Sequence, residues 1–466
     1  MIKLKNYTKS TISYFTENLL RNNKTLSIIA VILVTALLYP VMTMNCIAEP
    51  QIFIEVEGEQ NTGGLPKKSP YFTFVSEFGD EKSGTKGDFL LVSPGQIKVK
   101  ENGDIFLSDE VKIKVYDKNG RGKLILGRKG QGPGEFKDNP PTFLSPAGYI
   151  TAYCSTNMDP AYYNVYNPLY KLLYKKHFEM IPEALKYLKG KNVPEDAHYQ
   201  VWDVMAIDEK RRIYRVSISE LNDINIREYS LIAYEEEKSF VPISFLKFDD
   251  KYIRYKNYIY ISPNLLSNSC SFVYLQGNKV LYTSDTENTF ISDTLANKII
   301  HIFDIDKKLD EKMTISFSPR KFTEKDINFF EKTARDQVKG RGGSNRDADV
   351  FGEMVRKTAE KRKYDNSISE SDMFKCDGKY VFISIDQRII LAFSAYAEDG
   401  KNVFISIVQQ VFIIDMETKK VVSVIPNLFQ GDTPYIRNGL LYYKETNQEG
   451  YDVVRIYKLN PSVYGK

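Results

Sequence analysis

Residues 95–136 read "GQIKVKENGDIFLSDEVKIKVYDKNGRGKLILGRKGQGPGEF" and contain four short runs in which apolar and polar side chains alternate. Ile97 and Val99 share one face of the first run, and the turn residues Asn102 and Gly103 separate that run from the second. A second glycine turn, at Gly120, separates the third run from the fourth. The segment therefore predicts a four-stranded antiparallel meander.

The same alternation returns downstream with different turn residues. We identify further copies, whole or partial, at residues 163–174, 202–217, 288–309, 390–425 and 434–459. A four-stranded unit that recurs about every 40 to 50 residues is typical of propeller blades. The composition agrees, because 32 Tyr and 27 Phe suit pleated, half-buried strands. We predict an all-β protein, a six-bladed β-propeller of four-stranded antiparallel blades that spans residues 86–466.

The last copy, residues 434–459, contains only three strands. An open edge at this point would leave unpaired backbone groups and a site for aggregation. Two apolar segments that precede the first copy can supply the missing strand, "QIFIEVEG" at residues 51–58 or "YFTFVSEFG" at residues 71–79. We therefore predict that residues 47–85 contain a linker and the strand that closes the ring.

The glycine-rich end of the quoted segment, residues 127–136, is either a phosphate-binding loop or a joint between two blades. A phosphate loop ends in Gly-Lys-Ser/Thr and opens a helix, whereas this one continues into "KDNPPTF", which begins a helix poorly. We therefore predict a joint in which the glycines adopt positive φ angles and Phe136 fills the gap between two blades. The predicted joint residues are Gly127, Gly130, Gly132, Pro133, Gly134, Glu135 and Phe136.

Residues 86–136, in which the fourth run ends in glycine and leads to "GQGPGEF", resemble the repeat of bacterial six-bladed β-propeller proteins of the NHL-like kind, which are often exported. The resemblance implies a propeller that binds a ligand or serves as a scaffold, as most members of that family do. A minority of related propellers are lyases with several histidine metal ligands, or calcium-dependent lactonases with Glu, Asn and Asp around the channel.

The N-terminal residues 1–45 carry five of the chain's 64 basic side chains and one of its 60 acidic ones, so the remainder carries 59 of each sign. A nucleic-acid-binding protein concentrates cations in its folded part, and this balance argues against that class. Residues 26–42 carry no charge, which is typical of an export signal or a membrane anchor. Because the cations precede this run, we predict that the following residues lie outside the cytoplasm, in the cell envelope, on a membrane or lipid anchor.

Cys46 follows the apolar run within "VMTMNC" and is a candidate site of lipidation, so that residues 1–46 form the predicted leader or anchor. Asn45 and Thr43 depart from the lipoprotein pattern, which keeps an uncleaved anchor and ordinary signal cleavage as alternatives. The remaining cysteines are far apart and are interpreted as buried free thiols. They are Cys154, Cys270 and Cys376.

A helical insertion at residues 320–365 interrupts the strand pattern. It opens with the capping pair Thr323 and Asp326, continues with apolar residues at helical spacing, and is followed by a second helical stretch at residues 349–363. Basic residues outnumber acidic ones within it. The insertion is interpreted as a solvated helical hairpin on the rim, with a partner-docking or mouth-covering element as the alternative.

Chemically active residues are sparse in this sequence. The three histidines, His177, His198 and His301, fall at unrelated positions of the repeat and are not expected to converge. Asp109 in "FLSD" and Asp293 in "FISD" end equivalent second strands and are weak candidates for calcium ligands, although a carboxylate at such a position more often caps its own turn.

The sequence favours a cell-envelope binding or scaffold propeller with a protein or glycan partner over an enzyme. We expect no catalytic residues, no nucleic-acid partner and no cofactor, with calcium left open. The alternative is a calcium-dependent, lactonase-like or lyase-like enzyme with a metal site at the central channel. A sensor or assembly component is a third hypothesis, although residues 1–25 are too short for a cytoplasmic signalling domain.

Overall fold

The structure is a computed structural model that describes most of the chain from residue 69 to residue 466. Within that span it leaves out residues 157–158, 222–225, 249–251, 256–257, 262–269, 285–286, 363, 366–373, 390–404, 427 and 429–433. The predicted membrane segment 26–42, Cys46 and the segment 51–58 therefore lie outside the described residues. In the described part, no helix is both long and apolar enough to cross a lipid bilayer.

Six antiparallel sheets form the six predicted blades, which confirms the propeller fold. Blade 1 comprises the strands Ile97–Val99, Ile105–Asp109, Lys112–Tyr116 and Gly122–Leu126. Blade 2 comprises Thr142–Leu144, Ile150–Thr156, Asp159–Tyr166 and Leu172–His177. Blade 3 comprises His198–Ala206, Arg211–Leu221, Ile226–Glu236 and Ser239–Phe248. In each blade the strands pair in sequence order.

Blades 4 to 6 depart from this regular pattern in three ways: a divided strand, long strands and a strand borrowed from the N-terminal side. Blade 4 comprises Cys270–Leu275, Lys279–Ser284, Thr289–Ser292, Leu295–Asp304 and Leu309–Phe317. Blade 5 comprises Phe374–Asp377, Tyr380–Ile389, Ile405–Asp415 and Lys420–Pro426. Blade 6 comprises Tyr435–Arg437, Leu440–Thr446, Asp452–Leu459 and the N-terminal strand Phe72–Phe78.

The strand Phe72–Phe78 closes the ring. It pairs antiparallel with Asp452–Leu459, with Phe72 opposite Leu459 and Phe78 opposite Val454. At its two ends it joins two different cores, because the Phe72 ring packs on Tyr457 at 5.1 Å and the Phe78 ring packs on Tyr116 of blade 1 at 4.6 Å. Of the two segments that the sequence offered, residues 71–79 supply this strand.

In the described part of the propeller, the buried apolar side chains pack between neighbouring blades. Among the described residues, one cluster of buried apolar side chains sits at each of the six junctions between neighbouring blades. Successive residues of one strand pack at the junctions on opposite sides of the blade: Ile105 packs against blade 6, and Phe106 packs against blade 2. This explains why Ile105–Asp109 is buried at every position and not at alternate ones.

Strand order assigns the long connections to one face of the ring. Because strands alternate in direction, the connections between second and third strands and those from one blade to the next lie on one face, here called the upper face. The connections between blades 2 and 3, 3 and 4, and 4 and 5 carry extra elements. These elements are helix α1 (Pro182–Gly190), the hairpin Tyr252–Tyr255/Tyr258–Ile261, the short pair Arg320–Lys321/Tyr364–Asp365, helix α2 (Glu324–Gly340) and helix α3 (Asn345–Arg362).

The helical insertion forms, and its first helix begins at the predicted capping pair, whereas the second helix begins at Asn345, before the predicted residue 349. Thr323 accepts a hydrogen bond from the backbone of Asp326, the Asp326 carboxylate accepts one from the backbone of Thr323, and the two form a capping box at the start of α2. The residues at helical spacing, Ile327, Phe330, Ala334 and Val338, are buried against α3 in a core of their own. The insertion rests on the hairpin before blade 4, because the Tyr255 ring stacks on Phe351 at 6.4 Å.

Two of the predicted copies have different boundaries in the structure. Residues 390–425 are not a complete blade, because blade 5 begins at Phe374 and Ile405–Asp415 is one strand that pairs with Tyr380–Ile389 on one side and, from Gln410 onward, with Lys420–Pro426 on the other. In blade 4, the second-strand position is shared by Lys279–Ser284 and Thr289–Ser292, which pair with successive parts of Leu295–Asp304. The sequence within both regions lacks the Asn-Gly turns that mark blade 1.

Two side chains of the closing strand are expected to contribute very differently to the free energy of unfolding. Phe78 is buried at the junction of blades 6 and 1, whereas Val75 is 53% exposed. We expect Phe78→Ala to lower the free energy of unfolding by about 3–5 kcal/mol, and Val75→Ala to change it by no more than about 0.5 kcal/mol. Urea unfolding followed by circular dichroism measures both values.

Removal of the whole closing strand gives the complementary result. Deletion of residues 47–80 is expected to lower the midpoint of one cooperative transition, because the first and last blades lose the strand that joins them. A truncated protein with an unchanged thermal midpoint would show that the ring does not depend on this strand.

Candidate functional site

The innermost strands of the six blades surround a central cavity of about 410 Å³. Every blade contributes side chains to it, including Lys98 from blade 1, Phe143 from blade 2, Trp202 from blade 3 and Lys375 from blade 5. A cavity of this volume is in the range of about 300–1,000 Å³ that is usual for small-ligand pockets. The channel is therefore the candidate functional site.

The charged side chains that line the channel are mostly cations. Four of its five charged lining residues are basic, and one is acidic. They are Lys98, Arg215, Lys375, Arg437 and Asp203. Arg215 pairs with Asp203 at 2.6 Å, and Arg437 pairs with Glu101 in the turn that follows the first strand of blade 1. Basic side chains thus outnumber acidic ones among the lining residues, whereas the residues after position 45 as a whole carry equal numbers of both.

Aromatic rings form much of the remaining lining. They come from five blades and are Phe143, Trp202, Phe272, Tyr274, Phe374 and Tyr435. Trp202 is the single tryptophan of the chain and is 48% exposed. The ammonium group of Lys98 lies 5.7 Å from the centre of the Tyr435 ring, within the range of a cation–π contact. Burial raises the pKa of Tyr435 to about 12, so its hydroxyl stays protonated and can donate a hydrogen bond.

Cys376 is the one thiol among the lining residues. Burial raises its pKa to about 12, although Arg437 and Lys375 act in the opposite direction. The thiolate is the nucleophilic form of cysteine, and a thiol with this pKa is protonated at neutral pH. Cys376 therefore lacks the activation that a catalytic nucleophile requires. Cys154 and Cys376 are both free thiols, but Cys154 is buried as predicted and Cys376 is only half-buried. Cys270 lies at the start of blade 4, where its side chain is outside the described set.

Asp109 is engaged in the interior of blade 1. Its carboxylate accepts hydrogen bonds from the backbone N–H groups of Val92 at 3.1 Å and Ser93 at 2.7 Å, and it pairs with the ammonium of Lys114 at 2.8 Å. Both side chains of the ion pair are fully buried. The Lys114 ammonium also donates to the carbonyl of Leu90 at 2.5 Å. A buried ammonium group thus already supplies the positive charge that a metal ion would bring to Asp109.

Asp293 has a different environment. It lies in the turn between Thr289–Ser292 and Leu295–Asp304, its side chain is 62% exposed, and it pairs with Lys321 at 3.0 Å. Asp109 and Asp293 belong to different blades, and each pairs with a lysine of its own. Within the same part of the chain, no group of three or more His, Cys, Asp or Glu side chains is arranged to hold a metal ion.

The three histidines belong to three blades, and none lines the channel. His177 ends the last strand of blade 2 and His198 begins blade 3, and both are exposed. His301 is buried in blade 4, where its ring nitrogens face Asp310 and Glu287 at 2.7 Å each and its ring stacks on Tyr282 at 4.3 Å. This arrangement fixes a buried histidine within its blade and leaves no ring nitrogen for a shared site.

The predicted joint connects blade 1 to blade 2. Gly127, Gly130 and Gly134 have φ angles of 74°, 157° and 76°, whereas Gly132 is not among the residues with positive φ. A Cβ atom at Gly127 would collide with the ring of Phe136, which is fully buried between the two blades. No helix follows, and the next element is the strand Thr142–Leu144.

Polar contacts within the joint are satisfied locally. The Glu135 carboxylate accepts from the backbone N–H of Gly132 at 2.7 Å and from Arg128 at 2.8 Å, and both contacts lower its pKa. The amide of Asn164 in blade 2 accepts from the N–H of Gly134 at 3.1 Å and donates to the carbonyl of Glu135 at 3.3 Å. Pro133 lies in the same loop, between Arg128–Lys129 and Glu135–Phe136, which pair in parallel.

The channel residues were not found from the sequence. Lys98 alternates with Ile97 and Val99, and Arg437 follows Ile436, so both cations face away from the apolar junctions in which those residues are buried. That alternation is a usable signal only when the innermost strands are already known. Neither Lys375 nor Trp202 stands in a local motif.

Comparison with known proteins identifies a family with this fold. Residues 84–337 match the model of a family described as "6-bladed beta-propeller" (DUF5128). No curated protein sequence matches the chain. Among solved structures, BF0058 of Bacteroides fragilis NCTC 9343, named as an exported protein, shares 12% identity with a TM-score of 0.43 over 84% of this chain and 95% of its own. A protein of unknown function from Dyadobacter fermentans DSM 18053 shares 10% identity with a TM-score of 0.37 over 78% and 94% of the two chains.

The two aspartates predict different responses to mutation. We expect Asp109→Ala to destabilise the protein by about 3–5 kcal/mol, because the buried Lys114 loses its buried carboxylate partner and keeps only the partly exposed Glu110 among its ion-pair partners in the described residues. Asp293→Ala breaks an exposed ion pair and is expected to cost no more than about 1 kcal/mol. The double variant Asp109→Leu/Lys114→Met should recover most of the loss, because it removes both buried charges together. Chemical denaturation of the three variants measures these differences.

The same variants test calcium binding. For the wild type and for each single variant, we expect the thermal melt recorded with millimolar calcium to superimpose on the melt of the same protein without calcium. A calcium-dependent rise of the wild-type midpoint that disappears in both Asp109→Ala and Asp293→Ala would show instead that the two carboxylates share a cation.

Proposed function

The chain belongs to the DUF5128 family of six-bladed β-propellers, and we propose that it is an extracytoplasmic binding module of the cell envelope. In this proposal the propeller holds a protein or glycan partner and performs no catalysis. The membrane or lipid anchor is the predicted leader, residues 1–46, with the apolar run 26–42 and the candidate lipidation site Cys46.

The observation that carries the proposal is the composition of the central channel. Its lining combines an exposed Trp202 with five further aromatic rings and several cations, which is the mixture of apolar surface and few polar anchors that binding pockets use. Among the lining residues, the one carboxylate and the one thiol are not arranged for acid–base or nucleophilic chemistry. Asp203 pairs with Arg215, and the Cys376 thiol is held protonated by burial.

The calcium-dependent enzyme, the alternative from the sequence, gains no support from the two aspartates. Asp109 neutralises the buried Lys114, and Asp293 pairs with Lys321 at the surface. Lyase chemistry on several histidines gains none either, because His177, His198 and His301 lie in different blades. Binding is therefore the function that the geometry supports best.

Binding without turnover is the central expectation. In gels that contain soluble envelope glycans, we expect the detergent-purified full chain to be retarded, and we expect no release of reducing ends from the same glycans. Trp202→Ala should abolish the retardation. Tyr451→Ala, which alters an exposed aromatic in blade 6, should keep it.

A protein partner is tested in living cells by a photo-reactive residue placed at position 202 or, as the control, at position 451. Adducts that form at 202 and not at 451 would support a partner at the channel. Release of glycan products by the wild type would replace the binding module with an enzyme.

The location outside the cytoplasm is tested by protease digestion of spheroplasts. We expect residues beyond 46 to be digested from the outside, because the basic residues precede the apolar run. Cys46→Ser separates the modes of attachment, since only lipidation predicts release of this variant from the membrane fraction. Full protection of the propeller until the cells are lysed would contradict the orientation.

A further inference from the structure

We propose that the central channel binds an anionic ligand of about sugar size, a sugar that carries a carboxylate or a phosphate group. This inference rests on the proposed binding function and names the chemistry of the ligand. It is argued from the charge, the burial and the aromatic lining of the channel.

Positive charge converges on the channel from four blades. Lys98 comes from blade 1, Arg215 from blade 3, Lys375 from blade 5 and Arg437 from blade 6, and the one carboxylate among the lining residues is Asp203. Residues after position 45 carry equal numbers of basic and acidic side chains, whereas basic side chains outnumber acidic ones at the channel even when Glu101, the partner of Arg437, is counted with the lining. A cleft with low-dielectric walls and one sign of charge raises the local concentration of ligands of the opposite sign.

Two of these cations are placed where solvent screens them weakly. Lys375 is only 6% exposed, and the Nε of Arg437 is buried with no hydrogen-bond acceptor among the described residues. A buried N–H group without an acceptor is uncommon in native proteins, so this N–H can bind an acceptor in addition to Glu101, with which the same guanidinium pairs. A carboxylate or phosphate oxygen is the acceptor that guanidinium and ammonium groups bind most strongly.

The aromatic lining accounts for the sugar part of the ligand. Trp202 is 48% exposed beside the cavity, so a flat π-surface lies next to the cations. The negative face of an indole ring attracts the C–H groups of a pyranose, which carry partial positive charge. The volume of about 410 Å³ fits one or two sugar units and excludes a folded partner from the cavity itself.

Because Trp202 is the only tryptophan of the chain, its fluorescence reports on the channel alone. We would titrate the detergent-purified full chain with D-glucuronate, D-glucose 6-phosphate, D-glucose and inorganic phosphate. The proposal predicts saturable changes for the glucuronate, the sugar phosphate or both, with affinity at least about tenfold higher than for glucose and for inorganic phosphate. The first two probes distinguish the carboxylate from the phosphate as the anionic group.

Charge variants then test the role of the cations. Lys375→Met and Lys98→Gln are expected to weaken binding of the anionic sugar by about tenfold or more, and added salt should weaken it in the wild type. Lys307→Met removes an exposed surface cation and should leave the affinity unchanged. Thermal melts show whether each variant is folded. If Lys375→Met does not fold, Lys98→Gln alone tests the role of the cations.

Three results would overturn the inference: no saturable response to either anionic sugar, equal affinity for glucose, or unchanged affinity in both folded charge variants. Equal affinity for inorganic phosphate would overturn the sugar part of it. Each of these can occur while Trp202-dependent retardation on glycan gels, or crosslinking at position 202, persists. In that case the binding function stands and only the ligand class fails.

Discussion

Closure of the ring by the strand Phe72–Phe78 is the constraint on which the rest of the structure depends. Each blade buries both of its faces against its neighbours, so no blade has a core of its own. Without the closing strand, blade 6 would present an open edge and the junction between blades 6 and 1 would lose Phe78. The channel exists only while six innermost strands are held around one axis, so its geometry depends on a pairing at the outer edge of the ring.

Blade 1 could be predicted almost residue by residue, because its strands are short and Asn102-Gly103 and Gly120 mark its turns. The long strands were harder to place. Within Ile405–Asp415, the residues 411–414 are buried alternately at the two neighbouring junctions, and the strand has no glycine or proline, so the sequence does not show whether it is one strand or two. The choice of residues 71–79 as the closing strand needed the register with Asp452–Leu459, which only the fold provides.

The candidate site shows a different limit of sequence reading. "FLSD" and "FISD" are nearly identical, yet Asp109 is buried against Lys114 and Asp293 is exposed beside Lys321. The difference arises because the second strand of blade 4 is divided into two segments, Lys279–Ser284 and Thr289–Ser292, and the four-residue motif does not show this division. The channel cations were missed for a related reason. Lys98 and Lys375 are far apart in the sequence and meet only because each sits on an innermost strand.

The positions of the insertions bear on how a ligand reaches the channel. The turns on the lower face are short, whereas α1, the Tyr252–Ile261 hairpin and α2–α3 all lie in connections of the upper face. Each of these connections starts at an outer strand and returns to an innermost strand, so it must cross the face from the rim towards the channel. The stacking of Tyr255 on Phe351 ties two successive connections together. The Tyr252–Ile261 hairpin and α2–α3 are therefore where sequence changes can alter access to the channel, because the insertion has a core of its own. Changes in α1 would disturb the ring, because Leu188 packs within the cluster between blades 2 and 3.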